Sequence, residues 1–137
     1  MTHAYRGEFE LAASAETVFA HLIEPYLLTE WWPDGAATDP TPGGEYHLWW
    51  DGPDWHLRGE YDLVDPPNRL VYTWKWDHED YPPRRVDMRL SIMEMGKTHL
   101  VVEHEAESEE ERSSYQQGWE FFLPQLGDAA AAASDHN

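Results

Sequence analysis

The sequence predicts an α+β fold: a curved antiparallel sheet wrapped around one long C-terminal helix, with two short helices near the N-terminus. Three observations carry that expectation. Residues 45–104 hold successive segments in which apolar and polar residues alternate, the period of a half-buried strand. Tyr115, Trp119, Phe122 and Leu126 recur at helical spacing behind a helix-start signal. The alternating segments are crowded with aromatic residues, so the helix closes over an aromatic sheet face, the plan of a cup for a small molecule.

Tyr5 to Leu11 forms the first expected strand, with Phe9 and Leu11 on one face. Ser14 caps a helix that carries Glu16 in its first turn and buries Val18, Phe19, Leu22 and Ile23. Pro25 interrupts that helix and starts a second short one reaching Trp31-Trp32. Pro33 to Gly44 contains three prolines and three glycines and reads as a loop.

Glu45–Trp50 alternates with Tyr46, Leu48 and Trp50 on one face, and Trp55–Val64 places Trp55, Leu57, Gly59, Tyr61 and Leu63 together. Asp65-Pro66-Pro67-Asn68 is a turn. Arg69–Asp77 turns Leu70, Tyr72, Trp74 and Trp76 to one side. His78–Pro83 is a connection, Val86, Met88, Leu90 and Ile92 mark the next strand, and Gly96 its turn. Thr98, Leu100, Val102 and His104 form the inner face of the last strand. Ser108-Glu109-Glu110-Glu111 is a capping box that opens the long helix. Pro124 is expected to kink that helix or begin its end, with Gly127 and Ala129–Ala133 reading as a frayed tail, although alanine is also able to continue the helix. One domain over residues 1–137 results, its core about 5–127 and its tail 128–137.

Composition narrows the function classes. With no cysteine, disulfides, thiolate metal sites and a cysteine nucleophile are out. No apolar run approaches the roughly 20 residues of a membrane span, and the N-terminus lacks a signal-peptide pattern, so the cytoplasm is the expected compartment. Twenty-seven acidic against nine basic residues give a formal charge of −18, which repels phosphate backbones and disfavours nucleic-acid binding. Only Lys75 and Lys97 are lysines; the acidic surface fits either adaptation to high salt or ordinary solvation.

The candidate site is the aromatic face. Tyr46, Tyr61, Tyr72, Trp74 and Trp76 supply the sheet side, Trp119 and Phe122 the helix side. Any one ring fits a filled core; as a set they fit the wall of an apolar pocket whose phenol and indole groups orient a ligand. His104 is the polar candidate, since its strand phase points it inward beneath Trp119; it reads as a hydrogen-bonding or basic group, as a satisfied interior histidine or as an exposed strand-end residue. Trp31-Trp32 either packs the short helices on the sheet edge or gates the pocket mouth. Asp51, Asp54, His56, His78, Glu79 and Asp80 are metal-ligand types without a ligand spacing, so no metal is expected, and no cofactor motif is present. Glu103, Glu105 and Glu107–Glu111 read as a solvated run. No catalytic constellation emerges.

Ala15-Glu16-Thr17-Val18-Phe19, Leu28-Thr29-Glu30-Trp31-Trp32-Pro33, Gly43-Gly44-Glu45-Tyr46, Asp65 to Trp74, Thr98-His99-Leu100 and Gly118-Trp119 occur in an order that resembles the activator-of-heat-shock-chaperone-ATPase homologue family of the START-like superfamily. The resemblance implies a helix-grip fold with a cavity between sheet and long helix. It leaves function open, because the superfamily hosts binding proteins, cyclases and hydrolases. Eukaryotic activators carry a further N-terminal chaperone-binding domain for which this chain has no room, so direct chaperone activation is not expected. The leading expectation is a protein that binds a small hydrophobic or amphipathic molecule, with Tyr46, Tyr61, Tyr72, Trp74, His104, Trp119 and Phe122 at the site. The alternatives are a chaperone-associated or stress-response module with a protein partner, and a hydrolase or cyclase using His104 or a pocket tyrosine. Nothing in the sequence decides between monomer and homodimer.

Overall fold

Alternating and helical patterns become seven strands and three α-helices in a computed structural model that describes residues 3–134. In chain order they are β1 (Tyr5–Leu11), α1 (Ala15–Ile23), α2 (Pro25–Leu28), β2 (Gly35–Thr38), β3 (Glu45–Trp50), β4 (Trp55–Asp65), β5 (Arg69–Trp76), β6 (Arg84–Ile92), β7 (Thr98–His104) and α3 (Glu109–Ser134). The strands form one antiparallel sheet in the order β1-β7-β6-β5-β4-β3-β2. Helix α3 packs on β1 and α1. The core is shared between its buried Trp119, Leu123, Leu126 and Ala130 and the inner face of the sheet.

The expected caps and phases are present. The Ser14 hydroxyl accepts a hydrogen bond from the Thr17 backbone N–H at 3.2 Å, and the Ser108 hydroxyl accepts one from the Glu111 N–H at 3.1 Å. Thr98, Leu100, Val102 and His104 are all fully buried on alternate positions of β7. Thr98 also donates to the Ala13 carbonyl at 2.7 Å, pinning the loop after β1. At Gly59 a Cβ would lie 2.0 Å from the Thr73 carbonyl oxygen and 2.6 Å from the Tyr46 ring. Glycine at this position lets the Tyr46 ring cross β4, so that its hydroxyl donates to the Thr73 carbonyl at 2.6 Å.

Several sequence expectations are corrected. Residues 35–38 were expected within a loop but form β2, which pairs Gly35↔Trp49 through Thr38↔Tyr46. That edge strand exists by cross-strand hydrogen bonding, to which its short Gly-Ala-Ala-Thr sequence gives no pattern. Helix α2 stops at Leu28, short of Trp31-Trp32. In β4 an extra residue between Tyr61 and Leu63 shifts the register against β5, so Leu63 leaves the inner face and is 36% exposed. Ile92, at the outer end of β6, is exposed rather than inward.

Helix α3 runs unbroken past Pro124 to Ser134, so among the described residues the expected end and frayed tail are absent, and residues 135–137 of that tail lie outside them. Pro124 is exposed, as is Glu120 one turn earlier, so water can satisfy the carbonyl that the proline leaves without a donor. Gly127 and Ala130 are buried, which holds the last turns down. Finally, Glu111 is not part of a solvated run. It is 5% exposed and accepts a bidentate contact from Arg84, Nε to Oε1 at 2.5 Å and Nη2 to Oε2 at 3.0 Å.

Candidate functional site

The rings supplied by β3, β4, β5 and α3 do not fill the space between them. A cavity of about 460 Å³ lies between the first half of α3 and the aromatic ends of β3–β5. Six indoles line it: Trp32, Trp50, Trp55, Trp74, Trp76 and Trp119. They form a connected array, with centroids 5.7 Å apart for Trp32–Trp74, 5.5 Å for Trp32–Trp119, 5.2 Å for Trp50–Trp76 and 5.6 Å for Trp74–Trp76. On α3, Glu111, Tyr115, Gly118 and Phe122 share the facing stripe. Gly118 leaves this side open, since a Cβ there would meet nothing within 4 Å.

The expected site residues divide into three groups. Trp74, Trp119 and Phe122 line the cavity, as does Trp76. Tyr46, Tyr61 and Tyr72 pack on one another, with Tyr46 and Tyr72 edge to face at 5.4 Å, around a gap of only about 20 Å³ beneath α1 and α2. That end of the cup is filled. Burial drives the phenols of Tyr46, Tyr61 and Tyr72 well above their ordinary values. They are hydrogen-bond donors rather than bases near neutrality.

His104 does not line the cavity. It stacks on Tyr115 with centroids 3.5 Å apart and planes 7° apart, and the Trp119 Nε1–H donates to its Nδ1 at 3.1 Å. Indole nitrogen only donates, so Nδ1 is the acceptor and the proton sits on Nε2. Burial, with the nearby Arg84 charge second, holds the His104 pKa well below its ordinary value. Its Nε2 and the Trp74 Nε1 are both buried without a hydrogen-bond partner.

Trp31 and Trp32 take different places. Trp31 is core and donates to the His21 carbonyl at 2.9 Å, tying its loop to α1. Trp32 is a cavity wall, and its carbonyl accepts from the Trp50 Nε1–H at 3.1 Å. Trp32, Trp50, Trp55 and Tyr115 were not among the expected ligand-binding residues. For Trp50 the signal was its phase with Tyr46 and Leu48, and for Tyr115 its place in the helical stripe. Trp32 lies in an irregular segment, where no period reports direction.

Beside the cavity runs a buried network. Arg84 pairs with Glu111, and the Tyr115 hydroxyl donates to Glu111 Oε1 at 2.8 Å. Burial pushes the Glu111 carboxyl up, but the hydrogen bonds from Arg84, Tyr115 and the Glu107 backbone outweigh it, and the carboxyl titrates below its ordinary value.

A larger hollow, about 950 Å³, opens on the outer face of β2–β5 among polar groups such as His47, Arg58, Glu60 and Lys75. For an apolar ligand the smaller cavity is the better site, because its wall is concave and aromatic. On that outer face His56 bridges Asp54 at 3.0 Å and His47 at 2.8 Å. Among the described residues no group of three or more His, Cys, Asp or Glu is placed to hold a metal, and no helix is long and apolar enough to cross a membrane.

A long helix gripped by a curved antiparallel sheet, with an aromatic cavity between them, defines a helix-grip protein of the START-like class. The chain belongs to the Activator of Hsp90 ATPase homolog 1-like protein family, whose model matches residues 12–131. No curated protein matches the sequence.

Solved structures share the fold. CalU16 from Micromonospora echinospora is 24% identical over 96% of this chain and 85% of its own, with a TM-score of 0.76. An HSP90 activator from Plasmodium falciparum is 20% identical over 90% of this chain and 92% of its own, with a TM-score of 0.74. The Aha1 dimer from Colwellia psychrerythraea is 16% identical over 94% of this chain and 96% of its own, with a TM-score of 0.81. At these identities the likeness is one of fold.

Proposed function

We propose that this protein binds a small hydrophobic or amphipathic molecule in the cavity between α3 and the β3–β5 end of the sheet. The observation that carries the reading is the 460 Å³ of space kept open within a wall of six indoles. One detail supports it. Glycine inside a helix costs roughly 1 kcal/mol relative to alanine, yet Gly118 sits mid-helix on the cavity wall with empty space where its Cβ would be.

Intrinsic tryptophan fluorescence, titrated with a panel of lipids, aromatics and polyketide-like compounds, tests the reading. A saturable shift is expected from at least one class. Gly118→Leu grows a side chain into the cavity, and should abolish that shift while the protein stays folded and at least as stable as the parent. A Gly118→Leu protein that binds unchanged would remove the cavity from the argument.

A second reading rests on the family and on the Plasmodium relative described as an HSP90 activator: a chaperone-associated module acting through a protein partner. The exposed Ile92 and Met95 at the β6–β7 end and Phe121 on α3 are the apolar groups it would use. Pull-down from native lysate that enriches a chaperone with the parent but not with an Ile92→Ser/Met95→Ser variant would favour it.

A further inference from the structure

Resting on the cavity-binding reading above, we infer that the ligand is an organic cation, a protonated amine or quaternary ammonium carried on an apolar body. The wall is the first reason. Indole is the aromatic ring whose face attracts cations most strongly, and six of them surround one space.

Charge is the second reason. Glu79, Glu110 and Glu111 line the cavity, and among the described residues no lysine or arginine does. Glu111 is spoken for by Arg84, which lies behind the wall. Three carboxylates against that one guanidinium leave two negative charges, on Glu79 and Glu110. Neither of these makes an ion pair among the described residues, whereas the neighbouring Glu109 is paired with Arg112. Lys75 Nζ donates to the Glu79 backbone carbonyl and sets a positive charge beside Glu79 without pairing its carboxylate, so with Lys75 counted one net negative charge remains.

The outer hollow provides the contrast. There Arg58 and Lys75 are interleaved with Asp39, Glu45 and Glu60, so no single sign of charge is selected. In the cavity, unpaired carboxylates at the wall, a lining of six indoles and a protein charge of −18 all favour the same ligand sign. An anionic head group such as a fatty acid carboxylate would meet the unpaired carboxylates of Glu79 and Glu110, with no lysine or arginine side chain in the lining to pair with it.

Matched probes separate this assignment from the reading on which it rests. Benzyltrimethylammonium, its neutral carbon isostere neopentylbenzene and the anion phenylacetate are titrated against the full chain at low ionic strength, by calorimetry and tryptophan fluorescence. The ammonium is expected to bind at least about tenfold more tightly than the isostere, within the range of a desolvated cation–π contact. Its advantage should shrink severalfold in a Glu79→Gln/Glu110→Gln protein whose melting temperature is unchanged, while the isostere is unaffected. Equal or tighter binding of neopentylbenzene or phenylacetate would overturn the cation assignment and leave the cavity reading standing. An undiminished ammonium preference in the double variant would also overturn it, because the carboxylates would then play no part. No saturable response to any of the three would overturn both.

Discussion

Arg84 and Glu111 are brought together from β6 and the first turn of α3, and both side chains are almost wholly buried. Removing one partner strands a charge. Arg84→Met is therefore expected to lower unfolding free energy by about 3–5 kcal/mol, and the double variant Arg84→Met/Glu111→Met by less than Arg84→Met alone. Urea denaturation of the three proteins checks the order. His104 gives a second prediction at this scale. Its pKa is depressed in the fold, so the unfolded chain takes up the proton first as pH falls. Stability contributed by the neutral ring is complete above the unfolded value of about 6.5, and declines below it at up to ~1.4 kcal/mol per pH unit. Glu111 also has a depressed pKa, but its contribution is lost only at lower pH, below the unfolded value of about 4.3. His104→Asn keeps an acceptor for the Trp119 indole and removes the ring that titrates. Unfolding measured from pH 7.5 to 5 should show a shallower slope in that variant; an unchanged slope would assign the proton uptake to another group.

Helix α3 carries a proline in its interior and stays continuous, because Pro124 lies on the exposed side while Leu123 and Leu126 hold the buried one. The backbone defect is tolerated rather than used, so Pro124→Ala should raise stability by about 1–3 kcal/mol. Loss of stability in that variant, read by chemical denaturation, would mean that the proline itself is needed for packing on β1 and α1. The same helix shows two kinds of small residue. Gly127 is packed against Leu11, with 3.0 Å from its would-be Cβ to Leu11 Cδ2, whereas Gly118 faces open space. One glycine serves close approach and the other leaves room. In the sheet, the inner face has a filled end at Tyr46, Tyr61 and Tyr72 and an open end near the β3–β4 turn.

Across the whole molecule the formal charge of −18 is carried with only nine basic residues, and three of those, Arg69, Arg85 and Arg89, surround the buried Asp87 carboxylate on the outer face. The remaining surface repels itself. Melting temperature should rise as sodium chloride goes from about 0.05 to 1 M, because the Debye length falls from more than 10 Å to about 3 Å. A flat or falling curve would mean that surface ion pairs outweigh the net repulsion. By itself, the sequence determined the fold: strand alternation over residues 45–104, the Ser14 and Ser108 caps and the stripe from Tyr115 to Leu126 are local periodic signals, and they assign type and inner face without knowledge of neighbours. It also identified Trp74, Trp119 and Phe122 as wall residues, through their phase. It did not distinguish the filled tyrosine end from the open tryptophan end, since Tyr46, Tyr61 and Tyr72 have the same phase as the tryptophans. Only the tertiary structure decided that division, together with strand β2, the pairing of Glu111 with Arg84, the seclusion of His104 behind Tyr115 and the place of Trp32. Each of these depends on which side chain arrives opposite, and a single chain's periodicity records the direction a residue faces but not the volume or charge it meets there.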